Sequence, residues 1–148
     1  MKFYSQICTT KEQSERLLAL GLKKETADMH HYHTVDFEEN EVWYPSIIPY
    51  ENVGVAFYFV GETEICLENN TIPAWSLHRL IEIMPQWIHT IDGSFKLTID
   101  QGKLVCYREI SDEVQTFVFG HTSLYDSIID IIEKLIKEDH FNKEYLED

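Results

Sequence analysis

The sequence is poor in basic residues, and this scarcity limits the partners that we expect. Twelve lysines and arginines stand against 26 aspartates and glutamates, which gives a formal net charge of −14 at pH 7. A negative field of this size repels nucleic-acid backbones and anionic membranes. We therefore expect neither direct nucleic-acid binding nor membrane binding, and a protein partner is expected to be basic.

Cysteine and long apolar runs are also scarce. Cys8, Cys66 and Cys106 lie far apart in the sequence, so the chain has no CxxC element for zinc or redox chemistry. We interpret all three as small apolar side chains. The longest apolar run, VGVAFYFVG, is too short to cross a bilayer, and the N-terminus lacks the apolar core of a signal peptide. These absences favour the reducing cytoplasm as the compartment.

Proline and glycine form no linkers, and the sequence contains no internal repeat or low-complexity tract. A chain of 148 residues, 44% of them hydrophobic, is long enough to bury a core without disulfides or metal. We predict a single domain over residues 1–148.

Three helices are predicted from capping residues and apolar spacing. The first begins at one of two alternative capping boxes in the segment TTKEQ and ends at Gly21. The second begins at Pro73, whose missing N–H costs nothing in a first turn, and ends before Pro85. The third, in the segment HTSLYDSIIDIIEKLIKEDHF, is capped by Thr122 or Ser123. Its wide apolar face needs the cover of a sheet.

Strands are predicted between these helices. The segments YHTVDF and EVWYPS are candidates, and VGVAFYFV is followed by ETEICLE, which is either its hairpin partner or its continuation. The segment SFKLTIDQGKLVCYREISDEVQTFVFG is predicted to form an antiparallel meander whose third strand is VQTFVF. Helices that lie between groups of antiparallel strands indicate an α+β protein. We predict a single antiparallel sheet of four to six strands, with the central amphipathic helix and the C-terminal helix packed on one face, plus the N-terminal helix.

The segment MHHYH is the clearest candidate for metal chemistry. On a strand, His31 and His33 project to one face and His30 to the other. Two imidazoles on one face bind zinc or nickel only if the fold supplies a third ligand. The alternative is a polar strand whose histidines are solvated or packed singly. The spacing itself demands no metal and no cofactor, so His31 and His33 remain candidate ligands only.

An acidic segment precedes a cluster of aromatic residues and prolines. The acids lack the glycine and closing glutamate of an EF-hand, so we interpret them as solvated or as facing a basic partner. Exposed aromatic residues beside prolines are typical of recognition surfaces, although they can also form a plug that covers a sheet. The predicted interaction surface consists of Asp36, Glu38, Glu39, Glu41, Trp43, Tyr44 and Tyr50.

The sequence contains no motif for nucleophilic catalysis or nucleotide binding. The spacings GxSxG, GxxxxGK[ST] and GxGxxG are all absent. Cys106 paired with a histidine would form a dyad, but a cysteine inside an alternating strand is more often a core residue. Pairs of carboxylates stay open as an alternative. We therefore predict no catalytic residues.

Two segments carry a resemblance to a protein group. The opening CTTKEQSERLLALGLKKETADM and the central IPAWSLHRLIEIMP resemble small uncharacterised proteins encoded in phages and conjugative elements of Bacteroides-type gut bacteria. The resemblance implies a cytoplasmic accessory protein of a mobile element, and it brings no catalytic residue or cofactor with it. The matching positions are Thr9–Thr10, Glu12–Gln13–Ser14, Leu20–Gly21–Leu22, Thr26–Ala27–Asp28–Met29 and Pro73–Ala74–Trp75–Ser76–Leu77.

These observations favour a noncatalytic, acidic protein-interaction module, either a monomer or a weak homodimer, because two acidic chains repel each other. One alternative is a hydrolase that uses carboxylates or a histidine-bound metal. Another is a nucleic-acid mimic that inhibits a DNA-binding enzyme, which requires acids in rows spaced like phosphates.

Overall fold

The structure is a computed structural model that describes residues 6–35, 40–47, 57–60, 63–66, 71–100, 104–109 and 123–147. Helices and antiparallel strands are mixed along these residues, which confirms the α+β class. The helices are α1 (Lys11–Ala19), α2 (Leu77–Ile83) and α3 (Leu124–Lys137), with single 3₁₀ turns at Lys24–Thr26 and Lys143–Tyr145. The strands are β1 (Met29–Val35), β2 (Glu41–Ser46), β3 (Phe57–Val60), β4 (Thr63–Cys66), β5 (Thr71–Ala74), β6 (Trp87–Thr90), β7 (Gly93–Asp100) and β8 (Leu104–Glu109).

The described strands form separate sheets, so the prediction of a single sheet is wrong. The strand orders are β2-β1-β5, β3-β4 and β6-β7-β8, and every pairing is antiparallel. Of the two alternatives for ETEICLE, the hairpin partner is confirmed, because β3 and β4 pair antiparallel. The predicted strand VQTFVF, Val114–Phe119, lies outside the described residues.

Pro73 does not begin a helix, which corrects the second helix prediction. It lies inside β5, opposite His30 of β1, and β5 is the last strand in the order β2-β1-β5. Proline has no N–H to donate to a further strand, so the end of a sheet is where a strand tolerates it. Helix α2 begins four residues later, after Ser76, whose hydroxyl accepts the N–H of Arg79.

Strand β6 follows Pro85, in a segment for which no helix or strand is predicted from the sequence. Its residues Trp87–Thr90 pair with β7 across the two-residue turn Ile91–Asp92. Four residues are too few to show an alternating pattern. The signal that was available is the Asp92–Gly93 pair, which is typical of a tight hairpin turn.

The chain divides into two compact units, which are described separately. The first unit comprises residues 1–79 with 147–148, and the second comprises residues 80–146. The prediction of a single domain stays a prediction, because compact units within one chain can fold together or apart.

In the first unit, α1 has well-defined ends. Of the two alternative capping boxes, the one formed by Thr10 and Gln13 is present: the Thr10 hydroxyl accepts the Gln13 N–H, and the Gln13 side chain accepts the Thr10 N–H. At the other end Gly21 has a φ of +88°, a conformation that glycine adopts without strain. The Leu22 N–H bonds to the Leu17 carbonyl, and the Gly21 N–H bonds to the Leu18 carbonyl. This pattern is a Schellman motif, and it confirms Gly21 as the helix stop.

The core of the first unit contains a network of hydrogen bonds around the fully buried Trp75. The Trp75 N–H donates to the Thr9 hydroxyl over 3.0 Å, and the Thr9 N–H donates to the Trp75 carbonyl over 2.9 Å. The indole N–H donates to the Thr26 hydroxyl over 2.9 Å. The Thr9 hydroxyl also shares a 2.7 Å hydrogen bond with the hydroxyl of Ser14, which is buried. Buried polar groups cost little only when they are paired in this way.

Asp28 and Ser76 extend this network. The Asp28 carboxylate accepts the Ser76 N–H over 2.8 Å and also accepts the Ser76 hydroxyl proton. Charge-assisted hydrogen bonds of this kind are stronger than neutral ones. Thr9, Thr26, Asp28, Trp75 and Ser76 all belong to the segments that carry the resemblance. Their hydrogen bonds show that these positions hold the fold of the first unit together.

In the second unit, α3 packs against the sheet β6-β7-β8 through β8. The apolar face of α3 is buried, as its spacing predicted. The sheet contributes Ile88, Phe95 and Tyr107 to the same core. Ser123 stands at the cap position of α3 without a side-chain capping bond, so its hydroxyl does not perform the predicted role.

The Thr9 hydroxyl is testable with an isosteric substitution. Thr9→Val keeps the volume but leaves the buried Trp75 N–H and the Ser14 hydroxyl without this partner. We expect the free energy of unfolding to fall by about 2–4 kcal/mol, since each unsatisfied buried group costs about 1–3 kcal/mol. Urea denaturation followed by tryptophan fluorescence measures the change.

The matched control is Thr9→Ser, which keeps the hydroxyl and loses one buried methyl group. Its expected cost is about 1 kcal/mol. Equal costs for the two variants would contradict the role that we assign to the hydroxyl.

Candidate functional site

Strand β1 carries the three histidines of the MHHYH segment. His31 lies opposite Pro45 and His33 lies opposite Trp43 in the pairing with β2. As predicted for a strand, these two histidines alternate with His30, which is buried. The structure therefore places the two candidate metal ligands on one face of the sheet β2-β1-β5.

His31 is engaged by the segment that precedes α1. Its Nε2 atom lies 2.6 Å from the Thr9 carbonyl oxygen and 3.8 Å from the Cys8 Sγ atom. A carbonyl oxygen only accepts hydrogen bonds, so Nε2 carries a proton and donates it to Thr9. This nitrogen is consequently not available as a base for the thiol or as a metal ligand in this arrangement.

Cys8 and His31 form a cysteine–histidine contact that sequence reasoning missed. The two residues lie 23 positions apart, and no motif links them. The contact differs from a catalytic dyad in its electrostatics. Burial, followed by the nearby negative charge of Asp28, raises the pKa of the Cys8 thiol to about 11. A nucleophilic cysteine requires a lowered pKa, so the geometry and the electrostatics both identify Cys8 as a buried, protonated thiol.

Within the residues that the structure describes, no three side chains of histidine, cysteine, aspartate or glutamate lie close enough to hold a metal ion together. His30 contacts the Tyr32 ring, with 6.4 Å between the ring centroids. His33 contacts the Trp43 ring, with 5.0 Å between the centroids. Each described histidine of β1 therefore has a packing role, which is the alternative stated for this segment.

An aromatic cluster lies on the face of the sheet that carries His33. The Trp43 indole, which is half-buried, packs between two partners. One is the His33 ring, and the other is the Lys11 ammonium, which lies 5.0 Å from the indole centroid. A cation over an aromatic face contributes about 0.5–1 kcal/mol at an exposed site. Lys11 therefore links the start of α1 to β2 and orients the indole.

The opposite face of β2 is more open to solvent. Tyr44 pairs with Tyr32 of β1, and their rings lie 5.8 Å apart. Tyr44 nevertheless remains 44% exposed, and Ile47, directly after the strand, is 81% exposed. Exposed apolar surface is typical of sites that bind a partner.

The structure does not describe the side chains of the other residues of the predicted interaction surface. Glu41 is the first residue of β2, and its side chain is not among those described. The other four, Asp36, Glu38, Glu39 and Tyr50, lie outside the described residues. Their membership of the surface stays a prediction.

A second exposed aromatic residue, Trp87, lies in the second unit. Trp87 on β6 is 39% exposed, and its indole is parallel to the His89 ring at a centroid distance of 6.3 Å. The Lys96 ammonium lies 5.5 Å from the centroid of the same indole. This cluster was not predicted, because Trp87 belongs to none of the helices and strands predicted from the sequence.

Comparison with known proteins supplies no identity. No protein-family model, curated protein or solved structure matches the chain. Among the described helices, none has the length and apolar character needed to cross a membrane. The function is therefore inferred from the chemistry of the side chains described above.

The state of Cys8 leads to a pH-dependent prediction. Because its pKa rises from 9.0 to about 11 on folding, folding favours the thiol. This stabilisation is fully present below pH 9 and is lost as the pH rises toward 11. At pH 8, we expect iodoacetamide to alkylate Cys8 in the folded protein at least about a hundredfold more slowly than in the urea-unfolded chain.

Mass spectrometry of the peptide that contains Cys8 measures both rates in one experiment. Similar rates in the folded and unfolded chains would show that Cys8 is a reactive thiolate and would restore the cysteine–histidine dyad as a candidate active site.

Proposed function

We propose that the protein is a noncatalytic interaction module that binds a basic protein partner through β2. The binding surface is formed by Tyr44 and Ile47, and it is called the β2 surface below. The observation that carries the proposal is the exposure of Tyr44, whose ring contacts that of Tyr32, and of Ile47, directly after β2. Pre-oriented aromatic residues are the usual anchors of protein interfaces.

The charge of the neighbouring sequence supports a basic partner. Four acidic residues, Asp36, Glu38, Glu39 and Glu41, precede the β2 surface within eight positions of Trp43. The chain as a whole carries a net charge of −14. Such a field accelerates encounters with a basic partner and opposes self-association. We therefore propose a monomer or a weak homodimer as the free state.

The described polar clusters support a noncatalytic role. The buried hydroxyls of Thr9, Ser14 and Thr26 are used within the Trp75 network. Cys8, which contacts His31, has a raised pKa. Neither the hydrolase alternative nor the nucleic-acid mimic gains a specific observation from the described residues, so we do not propose them.

The resemblance of the two sequence segments supports a proposal about the biological setting. We propose a cytoplasmic accessory protein of a phage or conjugative element, whose function is binding rather than catalysis of a reaction. The β2 surface lies outside both segments. We therefore expect residues outside these segments to determine which partner is bound.

The test is a comparison of β2-surface variants with a matched aromatic variant elsewhere. Immobilised wild-type protein, Tyr44→Ala and Trp87→Ala are exposed to native host lysate, and the retained proteins are identified and then titrated as purified partners. Tyr44→Ala is expected to weaken binding by about thirtyfold, since truncation of an interface anchor costs about 2 kcal/mol. Trp87→Ala is expected to bind like the wild type, because Trp87 is similarly exposed but belongs to the other unit.

Salt dependence tests the charge component of the same proposal. A fourfold glutamine or asparagine replacement of the acids at 36, 38, 39 and 41 is expected to slow association and to flatten its dependence on salt. Partner retention that is equal in all variants, or turnover of a substrate without any retained partner, would refute the interaction module.

A further inference from the structure

Pro73 reveals which way the backbone groups point in the sheet β2-β1-β5. It lies on β5, opposite His30 of β1. Proline has no N–H to donate, so this pair is not one of the hydrogen-bonded pairs that alternate along an antiparallel ladder. The N–H and C=O groups of His30 therefore face the other neighbour, β2, where His30 lies opposite Ser46.

The same alternation determines which backbone groups of β2 point away from β1. Because His30 and Ser46 form a hydrogen-bonded pair, Val42 and Tyr44 also turn their N–H and C=O groups toward β1. Pro45 agrees with this assignment, since a proline fits a strand where it has no N–H to donate to the neighbour. The residues whose backbone groups point to the outer edge of β2 are Glu41, Trp43 and Pro45.

The opposite edge of this sheet is partly covered by the chain itself. Directly after β5, Trp75 exchanges two hydrogen bonds with Thr9, and Ser76 forms a bridge with Cys8. Pro73 offers no donor beside them. Among the described strands, β2 pairs with β1 and with no other strand, so no described strand lies on its outer edge.

We propose that the partner binds as an added β-strand, in which an extended, basic segment pairs with the outer edge of β2. This inference rests on the function proposed above and specifies the form of the partner. A strand edge pairs readily with an extended segment, whose main chain supplies affinity and whose alternate side chains supply specificity. The donors on β2 are the N–H groups of Glu41 and Trp43, and the C=O groups of Glu41, Trp43 and Pro45 accept.

Two features of β2 specify the chemistry of the added segment. Tyr44 contacts Tyr32 on its inner side and remains 44% exposed, so a strand on the outer edge places every second side chain beside this ring. Apolar residues at these alternate positions therefore gain a contact. The acids at positions 36, 38, 39 and 41 lead into β2, and they favour lysine or arginine at the remaining positions.

Pro45 limits the length of the added strand. Its carbonyl oxygen accepts a hydrogen bond, but it has no donor to return, so pairing in both directions ends at Trp43. Proline on an edge strand is one of the devices by which proteins prevent uncontrolled association of sheets. The edge of β2 therefore suits reversible binding of one short segment.

The first experiment is an NMR titration of the ¹⁵N-labelled full chain with the acetylated and amidated peptide Lys-Val-Lys-Val-Lys-Val-Lys. We expect saturable binding with a Kd below about 1 mM. In the free protein, the Val42 and Tyr44 amides are expected to exchange slowly with solvent and the Trp43 amide rapidly. Peptide at about ten times its Kd is expected to slow exchange of the Trp43 amide by about tenfold.

Two methylated peptides give the matched test, and they leave the protein unchanged. One carries N-methyl groups on its lysines and the other carries them on its valines. Only alternate N–H groups of an added strand face its neighbour. We therefore expect one methylated peptide to bind at least about tenfold more weakly than the parent peptide and the other to bind like it.

Three results would each overturn strand addition. They are the absence of saturable binding at about 5 mM peptide, equal binding of the two methylated peptides, and rapid exchange of the Trp43 amide in the saturated complex. A partner that is lost in Tyr44→Ala, together with equal binding of the methylated peptides, would reject strand addition and keep the interaction module. Unequal binding of the methylated peptides without any retained lysate partner would reject the module and keep the strand-accepting edge.

Discussion

The first unit depends on the burial of Trp75 with all of its polar groups paired. The indole is fully buried, and truncation of a side chain of this size in a core costs about 3–5 kcal/mol. Its backbone joins the segment before α1, and its indole N–H reaches Thr26 at the 3₁₀ turn. Three segments that are far apart in the sequence are thus fixed to one residue, and the start of β1 follows directly from the Thr26 turn.

This constraint determines what the surface residues can do. The fixed approach of the Cys8–Thr9 segment to β1 directs the His31 imidazole to a carbonyl oxygen and leaves Cys8 buried and protonated. The same arrangement brings Lys11 over the Trp43 indole of β2. The polar groups around Trp75 are therefore hydrogen-bonded within the fold, while Tyr44 and Ile47 of the β2 surface stay exposed to solvent. This division is the physical basis for proposing binding in place of catalysis.

Local signals in the sequence predicted local structure well. Each confirmed feature depends on residues that are close together in the sequence. These features are the capping box of α1, the Gly21 stop, the hairpin of β3 and β4, and the buried face of α3. The prediction that a helix begins at Pro73 was wrong, because the fixed φ of proline suits both a first helical turn and the edge of a sheet. The strand β6 was missed because four residues show no period.

The candidate site was predictable only in part, because some of its contacts join residues that are distant in the sequence. The alternation of His31 and His33 follows from strand geometry, and so does their common face. The contact between Cys8 and His31 depends on how a loop crosses a sheet, and no spacing rule encodes it. The partition of the strands into separate sheets likewise depends on pairings between distant segments, which composition and periodicity do not specify.

Amide hydrogen exchange of the native protein tests whether the Trp75 network holds the first unit together, because it reports the opening free energy of single N–H groups. We expect the Thr9 and Trp75 amides, which are bonded to each other's residues, to be among the slowest-exchanging amides of the first unit and to open only with its unfolding. Rapid exchange at these two positions, at the rate of the exposed end of α1, would contradict it. The Trp75 network would then be a peripheral feature, and the polar residues of the two resemblance segments would again be candidates for a direct functional role.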